Sequence, residues 1–383
     1  MTISIALRNM RTAKARLAFS IAGVAVATLL LAFVLALYRG WNDGLGTYID
    51  ETKADVWVAP LGSEGFFTPS IVSTTFVTLV QDQEGVKEVH TLLYRPVKLR
   101  ANGHEFDSWV VGFTAGQPGG PVRMNEGSST PSRGEIVIDD VQARLADVGI
   151  GDVVEVGGNR LKVVGISEGG NVVFAQITFI SDEEAKAEFT KAISEAHLPT
   201  IPASLEPEKN VNLMLVQTDG GQGATVAARI NKNVPAVNAF TSKDFSENSR
   251  RALKQAILPI LAIILILAFL VGTLVLGLTV YTSVLEKERE FGVIKAVGTP
   301  GLGLLRVVLE QAIVCCIAGF AVGIVGAFVA AWVVRLAVPQ FVTSFYAADI
   351  AGVFIGTVGM SVLAALVPAL RVIRVDTLSV FKA

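Results

Sequence analysis

Charge is scarce in this chain. Asp, Glu, Lys and Arg make up 17% of its 383 residues, hydrophobic residues make up 51%, and the mean hydropathy is +0.55. That balance excludes an ordinary water-soluble fold, in which about a quarter of the residues are charged. Long polar stretches equally exclude a protein lying wholly in lipid. Cysteine is nearly absent: Cys315 and Cys316 are adjacent in one apolar run, so no disulfide framework supports the polar part, and the pair reads as small apolar helix residues. No G-x-x-x-x-G-K-[ST] loop occurs; Gly220, Gly221 and Gly223 form a glycine-rich turn, but no lysine follows. The chain therefore does not bind and hydrolyse ATP in the P-loop manner. His90, His104 and His197 are scattered, with no H-E-x-x-H or G-x-S-x-G around any of them, and read as isolated surface histidines. No catalytic residue and no metal-ligand set is assigned.

What the chain does have is four apolar runs, Leu17–Tyr38, Ala256–Tyr281, Ile313–Val334 and Ile350–Ala369. A helix needs about 20 such residues to cross a bilayer. The first run follows Arg8, Arg11, Lys14 and Arg16, as a secretory leader would. It is longer than the roughly 7 to 15 residues of a cleaved leader's core, and Leu37–Trp41 offers no small-x-small cleavage site, so a retained signal anchor is expected. Residues 41–248 carry 28 acidic and 16 basic residues. Of the other 16 basic residues, eleven fall before span 1, between spans 2 and 3, or after span 4. The positive-inside bias puts both termini and the loop between spans 2 and 3 in the cytoplasm. Arg250, Arg251 and Lys254 oppose this on the outer side of span 2, but a long loop translocates largely regardless of such charges.

No charged residue or histidine lies deep in a span, which argues against a proton- or sodium-driven carrier. Glu310, Arg335 and Asp349 fall near span ends, where snorkelling accounts for them. Small residues mark one face of several spans: Gly23 and Ala27, Gly319 and Gly323, Gly352 and Gly356. They serve helix packing, within one subunit or across a dimer. Pro259 either bends span 2 or occupies its adaptable first turn in the membrane.

The polar region from residue 41 to about 248 is long enough for one or two domains. Strands are expected at Ala54–Ala59, Val86–Leu99 and Asp107–Phe113, with a helix near Ser73–Gln83. The glycine- and proline-rich stretch from Ala115 to Gly134 reads as a boundary or exposed loop. A strand, a short helix and a hairpin on Gly157-Gly158 then form a compact β-rich insert over about 134–180. A helix at Asp182–Ala196, a linker marked by Pro199, Pro202 and Pro207, a strand at Val211–Gln217 and a helix near Ala224–Asn233 complete a split α+β unit. From Ser242 to about Lys287 the helical pattern runs unbroken into and through span 2, about 65 Å at about 1.5 Å per residue.

The segment Ser283–Leu309 is charged at Glu286, Lys287, Glu288, Arg289 and Glu290, then amphipathic through Phe291, Val293, Ile294 and Val297. Gly298 ends that helix, and Thr299-Pro300 has the character of an N-cap with proline at the next helix's first position. The spacing of Arg289, Glu290, Gly292, Lys295, Ala296 and Gly298 resembles the R-x-x-E-x-G-x-x-x-A-x-G signature of FtsX/MacB-type permeases, also called type VII ABC transporters. Arg289 stands three places before Gly292, closer than the Arg of the signature. The resemblance extends from the amino-terminal ALRNMRTAKARLAFSIAGVAVA, through Ala54-Asp55-Val56-Trp57-Val58, to the closing RVDTLSVFK. It covers essentially the whole chain, nearest to the DevC/HrtB-like permeases that lack a fused ATPase.

The resemblance implies a four-helix membrane protein with a large α+β extracytoplasmic domain, like the MacB periplasmic core, inserted between helices 1 and 2. The expected layout is a cytoplasmic segment 1–16, span 1 at 17–38, the outer domain at 39–248, stalk end and span 2 at 249–281, and a coupling segment at 282–309. Span 3 at 310–335, an outer loop at 336–349, span 4 at 350–369 and a cytoplasmic tail at 370–383 follow. Glu288, Arg289, Glu290, Gly292, Lys295, Ala296 and Gly298 are the implied contacts to a separate ABC ATPase, which uses the ATP and Mg; this chain holds no cofactor itself and is not an enzyme. Two permeases pairing with two ATPases in a bacterial inner membrane, surrounded by lipid, with or without a periplasmic adaptor and without nucleic acid, are the implied assembly. The expected work is export or extraction of a hydrophobic or amphipathic cargo (heme, lipid, lipoprotein, macrolide or peptide) by mechanotransmission. The alternatives are an FtsX-like regulator of a cell-wall hydrolase and an ATP-independent receptor or scaffold.

Overall fold

The structure, a computed structural model, describes residues 14–66, 70–172, 175–195, 209–287, 290, 301–337 and 341–373. The chain forms two compact units, one from Met1–Arg39, Ile257–Ala337 and Thr343–Ala383, the other from Gly40–Ala256 and Val338–Val342. The expected fold class is observed: among the described residues four helices are long and apolar enough to cross a membrane, with a mixed α/β domain between the first and second.

The helical unit is built from parts of α1 (Lys14–Glu51), α6 (Ser242–Glu286), α7 (Gly301–Ala337) and α8 (Ala347–Ile373). Large aliphatic side chains such as Leu274, Ile355 and Val367 are mostly exposed on its surface, as expected of residues facing lipid tails rather than water. The interior uses small residues and hydroxyls, because lipid supplies no hydrophobic drive for helix association and close approach must supply it instead. Thr28 and Thr357, both fully buried, meet Oγ1 to Oγ1 at 3.3 Å. Cys315 and Cys316 are buried and free. Asp349, read above as a snorkelling end residue, instead receives two hydrogen bonds from the Arg39 guanidinium, at 2.7 and 2.8 Å.

In the α/β unit the strands are β1 (Val56–Pro60), β2 (Val72–Ser73), β3 (Val86–Ala101), β4 (His104–Phe113), β5 (Arg123–Gly127), β6 (Glu135–Asp139), β7 (Val153–Val156), β8 (Asn159–Glu168), β9 (Asn171–Val172), β10 (Ala175–Ser181), β11 (Asn210–Val211), β12 (Leu213–Thr218) and β13 (Val237–Thr241). Helices α2 (Thr75–Gln81), α3 (Asp140–Ala146), α4 (Asp182–Glu195) and α5 (Gly223–Asn233) pack on them. The main sheet runs β13-β1-β12-β3-β4-β10-β6-β8-β5. Asn102-Gly103 and Gly157-Gly158, all at positive φ, turn the β3-β4 and β7-β8 hairpins, the conformation that a two-residue type I′ turn requires. At one sheet edge the Asn231 side chain occupies the free backbone of β13: its Nδ2 donates to the Ala239 carbonyl at 2.9 Å and its Oδ1 accepts from the Ala239 N–H at 2.7 Å. Further pairing at that position is thereby blocked.

Two expectations are corrected here, after one addition. The β-rich stretch shares its sheet with the rest of the unit: β3 pairs with β12 over Val86–Leu92 and with β4 over Leu93–Ala101, and β10 then joins β4 in parallel, so all the strands from β6 to β10 continue the same surface. A sixteen-residue strand shared between two sets of partners has no local sequence mark. The Ala115–Gly134 stretch is not wholly loop, since Arg123–Gly127 is the edge strand β5, paired to β8 through a bulge between Met124 and Glu126. Its exposed, polar residues lack the alternation that identifies half-buried strands. His90 is not a surface residue but 5% exposed, its Nε2 lying 3.3 Å from Glu88. His104 is exposed and stacks on Phe106; His197 and the three linker prolines lie outside the described residues.

The end of α1 and the start of α6 belong to the α/β unit and form part of its core. Tyr48, near the end of α1, packs against Trp57, Phe66 and Phe179, and its hydroxyl donates to the Gly119 carbonyl at 2.8 Å. Phe245, in the first turns of α6, stacks on Trp57 at 4.9 Å and 10°. The Ser249 hydroxyl accepts from the Phe66 N–H at 3.0 Å, and Arg250 pairs with Asp50 across the two helices at 2.9 Å. These aromatic rings bury large area in fixed geometry, so the first two turns of α6 are rigidly seated in the unit.

One buried carboxyl stands apart. Asp139 caps α3, its Oδ1 accepting from the Val141 N–H at 3.0 Å, while among the described residues Oδ2 has no hydrogen-bond partner and the residue is fully buried. Burial raises its pKa to about 8; Asp140 also raises it, and the Val141 N–H and Arg144 lower it. An unfolded Asp titrates near 3.9, so the proton held in the fold stabilises it fully below that pH, and the contribution is lost as pH rises through about 8. Thermal unfolding of the protein is thus expected to occur at progressively lower temperature between about pH 4 and pH 8. In Asp139→Asn, which keeps the cap, that slope should flatten.

Candidate functional site

The sequence directs attention to the connection between α6 and α7. α6 ends at Glu286, Lys287 forms a turn whose N–H donates to the Val284 carbonyl at 3.2 Å, and Glu290 is helical and exposed. Glu288, Arg289, Gly292, Lys295, Ala296 and Gly298 lie outside the described residues, as do Thr299 and Pro300. α7 begins at Gly301, and the Arg306 Nε donates to Glu310 one turn on at 2.9 Å.

The two flanks of this segment are held together. Val280 and Val284 of α6, Val307, Val308 and Ala312 of α7, and Ala364, Ala365 and Ala369 of α8 belong to one buried apolar cluster. The Gln311 Nε2 donates to the Ser283 Oγ at 3.4 Å. The Arg371 Nη1 donates to the Tyr281 hydroxyl at 2.6 Å, with the guanidinium 5.4 Å from the ring centre. Tyr281, Gln311 and Arg371 were not singled out from the sequence, because a polar residue at a span end is ordinary and its partner is distant along the chain.

The small residues divide into two groups. A Cβ on Gly323 would stand 2.6 Å from the Ala25 carbonyl oxygen, and one on Gly319 would stand 2.6 Å from Val24, so both glycines meet α1 closely. Gly23 faces Val275 of α6, and buried Ala27 meets Gly272. Gly352 and Gly356 behave differently: among the described residues nothing lies within 4 Å of where a side chain would begin. They line an open apolar groove of about 380 Å³ together with Leu35, Ile266, Phe269 and Val353.

A formal G-x-S-x-G occurs at Gly165-Ile166-Ser167-Glu168-Gly169. Ser167 is buried within strand β8 and its hydroxyl donates to the Ile138 carbonyl at 3.4 Å. A nucleophile needs an exposed strand-to-helix elbow, which β8 does not provide.

Residues 262–377 match the FtsX-like permease C-terminal family. An uncharacterized ABC transporter permease of Mycobacterium tuberculosis is 26% identical over 377 residues, covering 98% of each chain. A macrolide export ATP-binding/permease protein MacB of Burkholderia pseudomallei is 31% identical over 122 residues, 32% of this chain and 19% of that one. Among solved structures, the extracellular domain of the ABC-type transporter YknZ aligns with 49% of this chain and 99% of its own at 12% identity and a TM-score of 0.31. The periplasmic region of MacB from Actinobacillus actinomycetemcomitans aligns with 52% of this chain and 94% of its own at 9% identity and a TM-score of 0.35.

The glycine geometry has a direct consequence. Gly319→Ala and Gly323→Ala should each destabilise the bundle by about 1–3 kcal/mol through overpacking against α1. Gly352→Ala and Gly356→Ala, with open space before them, should leave stability unchanged or raise it by up to about 1 kcal/mol through the better helix propensity of alanine. Thermal unfolding of the purified protein in one detergent checks the order.

Proposed function

We propose that this chain, a permease of the FtsX/MacB type, is the membrane subunit of an ABC export or extraction system that works by mechanotransmission. A separate ABC ATPase binds at residues 288–298, two permeases pair with two ATPases, and ATP-driven closure of the motor pushes on that segment. The cargo is hydrophobic or amphipathic and is handled on the far side of a bacterial inner membrane, with both termini cytoplasmic. The absence of deep charged residues in the spans favours such a cargo over an ion.

The observation that carries this reading is α6. It is one helix from Ser242 to Glu286, seated at its first turns in an aromatic core and ending where the charged coupling segment begins. At about 1.5 Å per residue it is long enough to carry displacement through the full thickness of a bilayer, about 30 Å of hydrocarbon. A helix with that span and no break resists compression along its axis, so a push at one end is felt at the other.

Charge reversal tests the assignment. Arg289→Glu combined with Lys295→Glu is expected to abolish co-purification of the ATPase and its stimulation by the permease. Unchanged binding and stimulation would remove residues 288–298 from the coupling role.

A further inference from the structure

Coupling through α6 requires that the push delivered beyond Glu286 be shared with, or resisted by, the neighbouring spans. Two side-chain contacts stand at that place. Tyr281 and Ser283 lie five and three residues before the end of α6; the first receives Arg371 from the last turn of α8, the second receives Gln311 from α7. Around them the apolar cluster draws on all four spans, with Val24 and Ala27 contributed by α1.

The other half of the helical unit is organised differently. Its buried cluster, centred on Ala32, Ala327 and Val353, includes Leu35, Phe320 and Ile324 and draws on α1, α7 and α8; among the described residues none comes from α6. There α6 borders the apolar groove at Ile266 and Phe269. α6 is therefore tied to its neighbours near the coupling segment and mostly exposed beyond it, apart from buried Leu261 and Ala268 and from Phe269, which packs against the first cluster. Ties of this kind beside the point of applied force hold the end of α6 in place against its neighbours while a push passes along the helix.

We infer that Arg371 and Gln311 are positioning residues for coupling, which fix α8 and α7 to α6 beside the point where motor force enters. This rests on the reading of residues 288–298 as the ATPase contact. The guanidinium both donates to the Tyr281 hydroxyl and lies over its ring, a pairing that neutral glutamine cannot reproduce but a lysine ammonium can in part. Without the clamp, motor closure displaces the end of α6 against its neighbours instead of moving its far half.

The test uses the permease reconstituted in nanodiscs with its ATPase, and needs no knowledge of the cargo. A nitroxide is placed at Leu267→Cys, 55% exposed in the far half of α6, while Cys315 and Cys316 are buried and do not compete for label. The readouts, per assembled complex, are ATPase rate and the change in nitroxide mobility on adding ATP and vanadate. In Arg371→Gln the ATPase rate should stay close to wild type while the mobility response falls about tenfold, the scale of one lost hydrogen bond to a charged group. Arg371→Lys should recover much of the response, and Gln311→Ala should weaken it. A wild-type response in Arg371→Gln, or a proportional fall of rate and response together, overturns the proposal. Arg289→Glu separates the two failures: if it leaves both readouts intact, the coupling reading itself is wrong, and if it abolishes both while Arg371→Gln responds normally, only the clamp is wrong.

Discussion

Inside a bilayer a polypeptide has no water to satisfy its backbone, so every N–H and C=O must be paired within the segment itself. That constraint makes a spanning element a helix, and a helix closed by its own hydrogen bonds is also a stiff rod. In this chain α6 extends the rod well past what crossing requires, to 45 residues. Pro259 lies inside it, yet the helix is continuous from Ser242 to Glu286. Everything proposed about transmission depends on that continuity.

The two ends of α6 are treated very differently by the sequence. At Ser242–Arg250 the helix is fastened by aromatic stacking on Trp57, a hydrogen bond from the Phe66 N–H to Ser249, and an ion pair with Asp50. Among large rings, burial and geometry together make such a joint costly to shear. At Tyr281–Val284 the fastening is made of small apolar contacts and two polar ties. Between them lie residues such as Ile263, Leu267 and Leu274, which are exposed and suited to lipid. These contacts are the ones on which the proposed transmission rests.

Much of this was legible in the sequence, and the reasons are physical. Four apolar runs of spanning length have few competing explanations, and the unbroken helical pattern from Ser242 onward contains no glycine until Gly272. The Gly157-Gly158 hairpin was readable because two consecutive positive-φ positions demand such residues. What could not be read was long-range. The shared strand β3, the polar edge strand β5 and the buried placement of His90 all depend on partners 20 or more residues away, which no local pattern encodes. The small-residue faces were visible as composition only; that Gly319 and Gly323 are filled while Gly352 and Gly356 are open required the packing itself. The clamp residues escaped notice for the same reason, since Arg371 and Tyr281 are ninety positions apart.

The shaft can be broken without touching either end. Four glycines inserted between Lys254 and Gln255 disrupt helix continuity, since each glycine costs about 1 kcal/mol relative to alanine in a helix. A nitroxide at Leu61→Cys, on an exposed loop of the α/β unit, reports its motion when ATP and vanadate are added to the assembled complex. If force travels along α6, the insertion leaves ATP hydrolysis intact and silences the Leu61 response seen in the uninterrupted protein. An undiminished response at Leu61 with the glycines in place would contradict transmission through this helix.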